Sequence, residues 1–173
     1  MFVTGLGGAS ALSNAAAASA SPAAASNYDA KVGPAFSVGA GYHFSDWFSA
    51  QTGYSWNRNR ITATEVAGSV FRRTEQAAEE HALGADLLLY FRPRASHLRP
   101  YLSAGPVWLR ALSENRIGLR VAVGVDLTIK SGWGVRYTFH ETMSANPFGA
   151  QLRPPGNSRL MNFQNLWGLV KVF

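Results

Sequence analysis

RIGLRVAVGVDLTIK, residues 116–130, alternates strictly with a period of two. Ile117, Leu119, Val121, Val123, Val125, Leu127 and Ile129 fall on one phase. Arg116, Gly118, Arg120, Ala122, Gly124, Asp126, Thr128 and Lys130 fall on the other. Successive side chains of a strand point to opposite faces, so this is a β-strand with one apolar face and one small, polar face. What meets the apolar face, a protein core or a lipid surround, decides the kind of molecule.

The rhythm recurs along the chain. VGPAFSVGAGYHF (32–44), WFSAQTGYSWNRN (47–59), LGADLLLYF (83–91) and WGVRYTFH (133–140) repeat it. Three weaker stretches, 2–8, 101–112 and 161–173, complete a set of eight. The links differ by end. Ser45-Asp46 predicts a two-residue hairpin, Ser131-Gly132 a second tight turn, and RPRASHLRP (92–100) a compact crossing. The links after the first, third and seventh strands are long and polar or low in complexity: about 9–31, including the Ala/Ser-rich run 15–26, then 62–80 and 141–160. Short turns at one end and long loops at the other are the layout of a transmembrane β-barrel.

Composition narrows the classes. The 173-residue chain predicts one domain, 1–173; it is 47% hydrophobic and 15% charged, against roughly 25% charged in soluble domains. No apolar run of about 18 residues is present, which excludes a transmembrane helix. The absence of Cys excludes disulfides, thiolate metal sites and a cysteine nucleophile. His43, His81, His97 and His140 share no ligand spacing, so neither a metal nor a cofactor is expected. A net charge of +6 raises nucleic acid as a partner, but the arginines are scattered and no recognition motif accompanies them. Anionic lipid headgroups are the expected counter-charge.

The minor face settles the surround. A soluble carrier barrel of the lipocalin type turns its apolar face inward and carries Lys and Glu outside. Here the minor face is Gly, Ala, Ser, Thr, Gln and Asn, which suits the cramped lumen of a narrow barrel. Asp86, Arg120, Asp126 and Arg136 then face inward, where they are expected to neutralise one another. The apolar face is expected to meet lipid. Tyr42, Phe44, Trp47, Tyr90, Phe91, Tyr101 and Trp133 near the short turns, with Trp56 and Trp108 toward the loops, read as interfacial girdles. The fold class is therefore all-β, an eight-stranded antiparallel up-and-down transmembrane barrel.

On this hairpin rhythm, on GAGYHFSDWFSAQTGY, RPYLSAGPVWLR and the terminal Phe173, the chain resembles the small eight-stranded outer-membrane barrels of Gram-negative bacteria, the outer-membrane protein A-like family. The resemblance implies an integral outer-membrane protein with both termini in the periplasm. It also implies that Phe173, Leu169 and Trp167 resemble the signal read by the barrel-assembly machinery; Lys171, in the same phase, departs from that pattern. Because side chains fill a lumen of this size, the expected role is envelope structure, lipopolysaccharide contact or loop-mediated binding, without enzymatic activity. Arg72, Arg73, Arg153 and Arg159 in the long loops are the candidates for lipopolysaccharide phosphates. Arg92, Arg94 and Arg99 lie at the opposite end, near phospholipid headgroups.

Two alternatives stand beside this reading. One is the soluble ligand carrier. The other is a lipid A deacylase-like hydrolase, which VRYTFHETMS resembles, with His140 as base, Ser144 as nucleophile and Glu141 orienting the His. In the deacylases the His and Ser lie two apart on a membrane-facing strand surface; here position 142 is Thr, and His140 shares the lumen phase.

Overall fold

Residues 1–13, 16–21, 24–67, 69–111, 114–145 and 159–173 are described by a computed structural model. Ten strands form in chain order: β1 (Phe2–Leu12), β2 (Ala16–Ser21), β3 (Ala24–Lys31), β4 (Gly33–His43), β5 (Phe48–Ala67), β6 (Val70–Tyr90), β7 (Leu98–Ala111), β8 (Glu114–Lys130), β9 (Trp133–Ala145) and β10 (Arg159–Val172). Eight of them close a ring. β5, β4, β1, β10, β9, β8, β7 and β6 follow one another around it, and the β5–β6 pairing joins the ends. Every pairing is antiparallel and the ring has no free edge, so the ladder hydrogen bonds of the wall are made between its own strands, as a lipid surround requires.

The opening strand shows how the wall is oriented. On β8, Ile117, Leu119, Val123, Leu127 and Ile129 are exposed, while Arg120, Ala122 and Asp126 are buried. The molecule is inside-out: its apolar face is the exterior and its charged face the interior. That overturns the soluble-carrier alternative, which needs the reverse. The same inversion holds for Phe36, Val38 and Tyr42 on β4, Leu83, Leu87 and Leu89 on β6, and Trp167 and Leu169 on β10, all exposed.

At the short-turn end, Ser131 and Gly132 have φ of 53° and 74°. Positive φ at both central residues is the twist that a two-residue hairpin demands. The β4–β5 turn is longer than Ser45-Asp46 alone. It spans residues 44–47, with Ser45 Oγ accepting from the amides of Trp47 (3.2 Å) and Phe48 (2.9 Å). That side-chain acceptor closes the wider turn. Both chain ends lie at this end, where the Phe173 amide donates to the Met1 carbonyl at 2.9 Å.

At the other end the expected loops 9–31 and 62–80 are strand over most of their length. β5 and β6 pair continuously from Phe48↔Leu89 to Ala67↔Val70. At 20 and 21 residues they far exceed the 9–11 that span a bilayer. β2 and β3 pair as a second hairpin, and β3 continues along β5 above β4. At Val32 the register slips: Lys31 to Ala35 opposes Arg60 to Asn57, four steps against three, a β-bulge that reverses the inward phase from Ala30 to Ala35. β9 and β10 likewise run to Ala145 and from Arg159.

Girdle positions follow parity more strictly than closeness to a strand end. Tyr42, Phe44, Trp47, Phe91, Trp133 and Trp108 are exposed. Tyr90 and Tyr101, expected with them, are 1% and 3% exposed and point into the lumen. Tyr90 shares the phase of Asp86 and Leu88, which decides its side. Lys171, outward among aromatics, bends to the turn: its Nζ donates to the Ser131 carbonyl at 2.7 Å and lies 5.1 Å from the Trp133 ring. A long stem lets such an ammonium reach the interface from an apolar surface.

Candidate functional site

Among the described residues, the lumen brings buried charged side chains together. Two arginines organise it. Arg136 on β9 is 1% exposed and grips Asp126 of β8 in a fork, Nε to Oδ1 at 2.6 Å and Nη2 to Oδ2 at 2.7 Å. Its Nη1 donates to Gln51 Oε1 at 2.7 Å. Gln51 sits on β5, four strands from β9 in either direction, so this side chain crosses the full width of the barrel. Tyr90 completes the group, accepting from Arg136 Nη2 at 3.0 Å and donating to Asp126 Oδ2 at 2.9 Å. Planar guanidinium and carboxylate match bidentately, which makes this one of the stronger arrangements available to a buried pair.

Arg120 on β8 does the same for Asp86 on β6, with Nε to Oδ1 at 3.2 Å and Nη2 to Oδ2 at 2.5 Å. The guanidinium lies against Gly84 and fills the space that a Cβ there would take. The four lumen charges expected from the sequence are thus brought together as two pairs, each carboxylate with its own arginine.

Arg99 is a lumen residue that the sequence reading assigned to the headgroup end. It is 5% exposed, stacks 3.8 Å over the Tyr90 ring and donates from Nη2 to the Asp46 carbonyl at 2.9 Å, tying the β4–β5 turn across the mouth. Its phase, opposite to that of the outward Trp108 on β7, was the available signal. His43 sits beside it, Nδ1 2.6 Å from Ser49 Oγ and its ring 4.6 Å from that of Phe2. With Leu88, Val170 and Tyr101 these rings close the short-turn end.

The hydrolase constellation does not assemble. His140 faces the lumen, its Nδ1 buried with no hydrogen-bond partner. Ser144 lies four residues along the same strand face, about 13 Å at strand rise. Glu141 has the opposite parity and lines an outward apolar groove of about 520 Å³ with Leu87, Leu102, Val121 and Phe139. A base and a nucleophile four residues apart on one face, with the orienting acid on the opposite face, share no hydrogen bond.

The loop arginines divide differently. Arg72 and Arg73 are exposed on the projecting β5–β6 hairpin. Its outer surface carries Arg58–Glu79 at 3.6 Å, Arg60–Glu75 at 3.3 Å and Arg73–Glu75 at 3.7 Å. Arg153 lies outside the described residues. Arg159 opens β10 opposite Ala145. Trp167, Leu169 and Phe173 share the outward phase, each more than half exposed. Among the described residues no His, Asp and Glu group has metal-ligand geometry.

A closed, eight-strand antiparallel ring with an apolar exterior and a charged, filled interior is an integral membrane barrel. The chain belongs to the outer membrane protein β-barrel domain family, whose pattern it matches over residues 4–165, and so to the bacterial outer membrane. Among solved structures it is similar to the outer membrane protein OprG from Pseudomonas aeruginosa, at 11% identity, covering 99% of this chain and 95% of that one with a TM-score of 0.60. It is also similar to the Neisserial surface protein A, NspA, at 18% identity, covering 99% and 97% with a TM-score of 0.60. Comparison with curated protein sequences gives no match.

Proposed function

We propose that this barrel is a non-enzymatic surface protein of the outer membrane, with its termini and short turns in the periplasm, that holds lipopolysaccharide through its projecting hairpins. The carrying observation is the β5–β6 hairpin. It runs roughly ten residues beyond what a bilayer needs and bears arginines on an exposed face. Arg60 and Arg73 share the single carboxylate of Glu75, and Arg72 makes no ion pair among the described residues. This leaves guanidinium capacity for phosphate, which Arg recognises bidentately.

The interior supports the same reading. Arg136 crossing to Gln51 and the Asp86–Arg120 pair occupy the section through which a solute would pass. The two tethered arginines make a general-diffusion pore a poor fit. Against catalysis stands the separation of His140, Glu141 and Ser144 on the wall.

The test is lipopolysaccharide binding by the folded protein, with recovery of the bound lipid. Arg72→Ala/Arg73→Ala is expected to weaken binding about tenfold, one charge-assisted hydrogen bond contributing about 1.5 kcal/mol. The lipid A recovered from wild-type protein is expected to keep all its acyl chains by mass spectrometry. Unchanged affinity in the double variant refutes the arginine contact. Loss of an acyl chain with wild type but not with His140→Ala refutes the non-enzymatic reading.

A further inference from the structure

Above the two arginine pairs, toward the long-hairpin end, the lumen holds a third carboxylate in a different setting. Glu80 on β6 is 1% exposed, and its Oε1 accepts from Asn162 Nδ2 at 2.7 Å. Asn162 Nδ2 also donates to Asn57 Oδ1 at 3.0 Å, and Gln164 Nε2 donates to that same oxygen at 3.0 Å. Asn57 Nδ2 donates to Asn59 Oδ1 at 3.0 Å, which also receives the Ser10 hydroxyl at 2.7 Å. Asn59 Nδ2 is taken up by the carbonyls of Ser10 and Lys31, each at 3.0 Å.

Both N–H groups of Asn59 and of Asn162 are committed, while the amide oxygens of Asn162 and Gln164 are not. Asn162 Oδ1 and Gln164 Oε1 are buried with no partner, on side chains 1% and 3% exposed. Turning either amide over would set its oxygen against the acceptors its nitrogen now serves. The layer thus holds two amide oxygens without a donor beside a buried carboxyl.

No arginine or lysine pairs with Glu80 among the described residues. Arg120 lies against Gly84, four residues further along β6, about 13 Å of strand. Relief by water is restricted too. Leu12 and Ala111, the ladder partners of Asn162 and Glu80, join Ala30, Ile61 and Ala78 in one apolar cluster; Leu6, Ala35 and Leu166, with Ala82, Val107 and Leu109, form apolar clusters toward the arginine pairs. A bare carboxylate between apolar layers is strongly unfavourable.

We propose that Glu80, Asn162 and Gln164 form a binding site for one monovalent metal cation, Na+ or K+, inside the barrel. Hard cations take oxygen ligands, and carboxylate and amide oxygens are what the cluster offers. Calcium sites gather six to eight oxygens and tune their affinity by ligand charge; a single carboxylate with neutral amides matches a single positive charge. The ion takes in this layer the place that Arg120 and Arg136 hold in the layers below.

The experiment uses the full chain folded in zwitterionic detergent, with tetramethylammonium as the starting cation and ionic strength held constant. Exchanging tetramethylammonium chloride for sodium chloride is expected to raise the unfolding midpoint of wild type saturably, by about 4 °C. In Glu80→Gln, which keeps the shape and removes the charge, the exchange is expected to have no effect. Crystals of wild type grown with thallium(I) are expected to show an anomalous peak at the Glu80 carboxylate, which covers the case of a variant that does not fold. Equal midpoints in the two salts without a thallium peak overturn the proposal; Glu80 is then neutralised by a proton or by a basic side chain. A sodium response retained in Glu80→Gln with no peak at Glu80 overturns it as well.

Discussion

Arg136→Leu is expected to cost about 3–5 kcal/mol of folding stability, the usual loss when one partner of a buried ion pair is removed and the other stays charged. Asp126 keeps its carboxylate at 6% exposure with only the Tyr90 hydroxyl left to donate to it, and Gln51 Oε1 loses its donor. The measurement is equilibrium urea unfolding in detergent, followed by the heat-dependent shift in gel mobility that separates folded from unfolded barrels. The double variant Arg136→Leu/Asp126→Leu separates charge from shape. Replacing a whole buried pair by apolar residues of similar volume is often neutral or better, so the double variant should recover all but about 1–2 kcal/mol. That residue is the cost of leaving Tyr90 and Gln51 unpaired. If the double variant is as unstable as the single one, the arginine acts as a brace across the barrel, through its reach to β5, and the ion pair contributes little.

The lumen network shows which parts of a barrel are legible in its sequence. Asp86, Arg120, Asp126 and Arg136 could be found because each interrupts a strand whose other phase is plainly apolar. Parity alone then places the charge inside, and four inward charges of balanced sign imply pairing. Parity does not say which strand lies across the ring from which. Gln51 therefore went unread as the far anchor of Arg136, although the two residues are 85 apart in the chain and 2.7 Å apart in space. Tyr90 and Tyr101 were misplaced by position, because an aromatic close to a turn resembles a girdle residue until its phase is followed. The amides of β10 failed for another reason. In MNFQNLWGLVKVF the aromatics keep to one phase and Asn162 and Gln164 to the other, but Asn165 and Lys171 put polar groups on the aromatic phase while Leu166, Val170 and Val172 make the inward phase apolar, which blurs the alternation.

The projecting hairpins were hidden because they leave the lipid. Within the membrane the apolar phase marks a strand; beyond it nothing requires one, and TATEVAGSVFRRTEQAAEE carries no stripe to recognise. What holds it is continuous pairing through Ala67↔Val70, reinforced by the cross-strand pairs Arg58–Glu79 and Arg60–Glu75. Such exposed pairs each contribute only about 0.2–1 kcal/mol. The ladder itself, extended from a strand pair already anchored in the wall, is the larger cause. The first outward charges, Arg58 and Glu79, directly follow Trp56 and its partner His81, where the apolar exterior of β5 and β6 ends.

That boundary gives the exterior its own quantitative test. Val123 is the middle residue of the outward series Ile117 to Ile129, flanked across the ladder by Leu102 and Phe139 and half exposed. Val123→Arg is expected to destabilise the barrel in lipid vesicles by about 2–4 kcal/mol, the cost of an arginine at the midplane. Ile129→Arg, at the short-turn edge, is expected to cost about 0–1 kcal/mol, because its guanidinium reaches the headgroups. Reversible unfolding by guanidinium in vesicles, read by tryptophan fluorescence, measures both. The contrast between the two positions carries the argument. A protein surround at this face would penalise both arginines according to local packing. A bilayer penalises them according to depth, and its penalty at Val123 should fall when the same variant is unfolded from detergent micelles, where the charge is never far from water. Equal costs at Val123 and Ile129 in vesicles would mean that the exposed valine and leucine face of β8 is covered by something other than lipid.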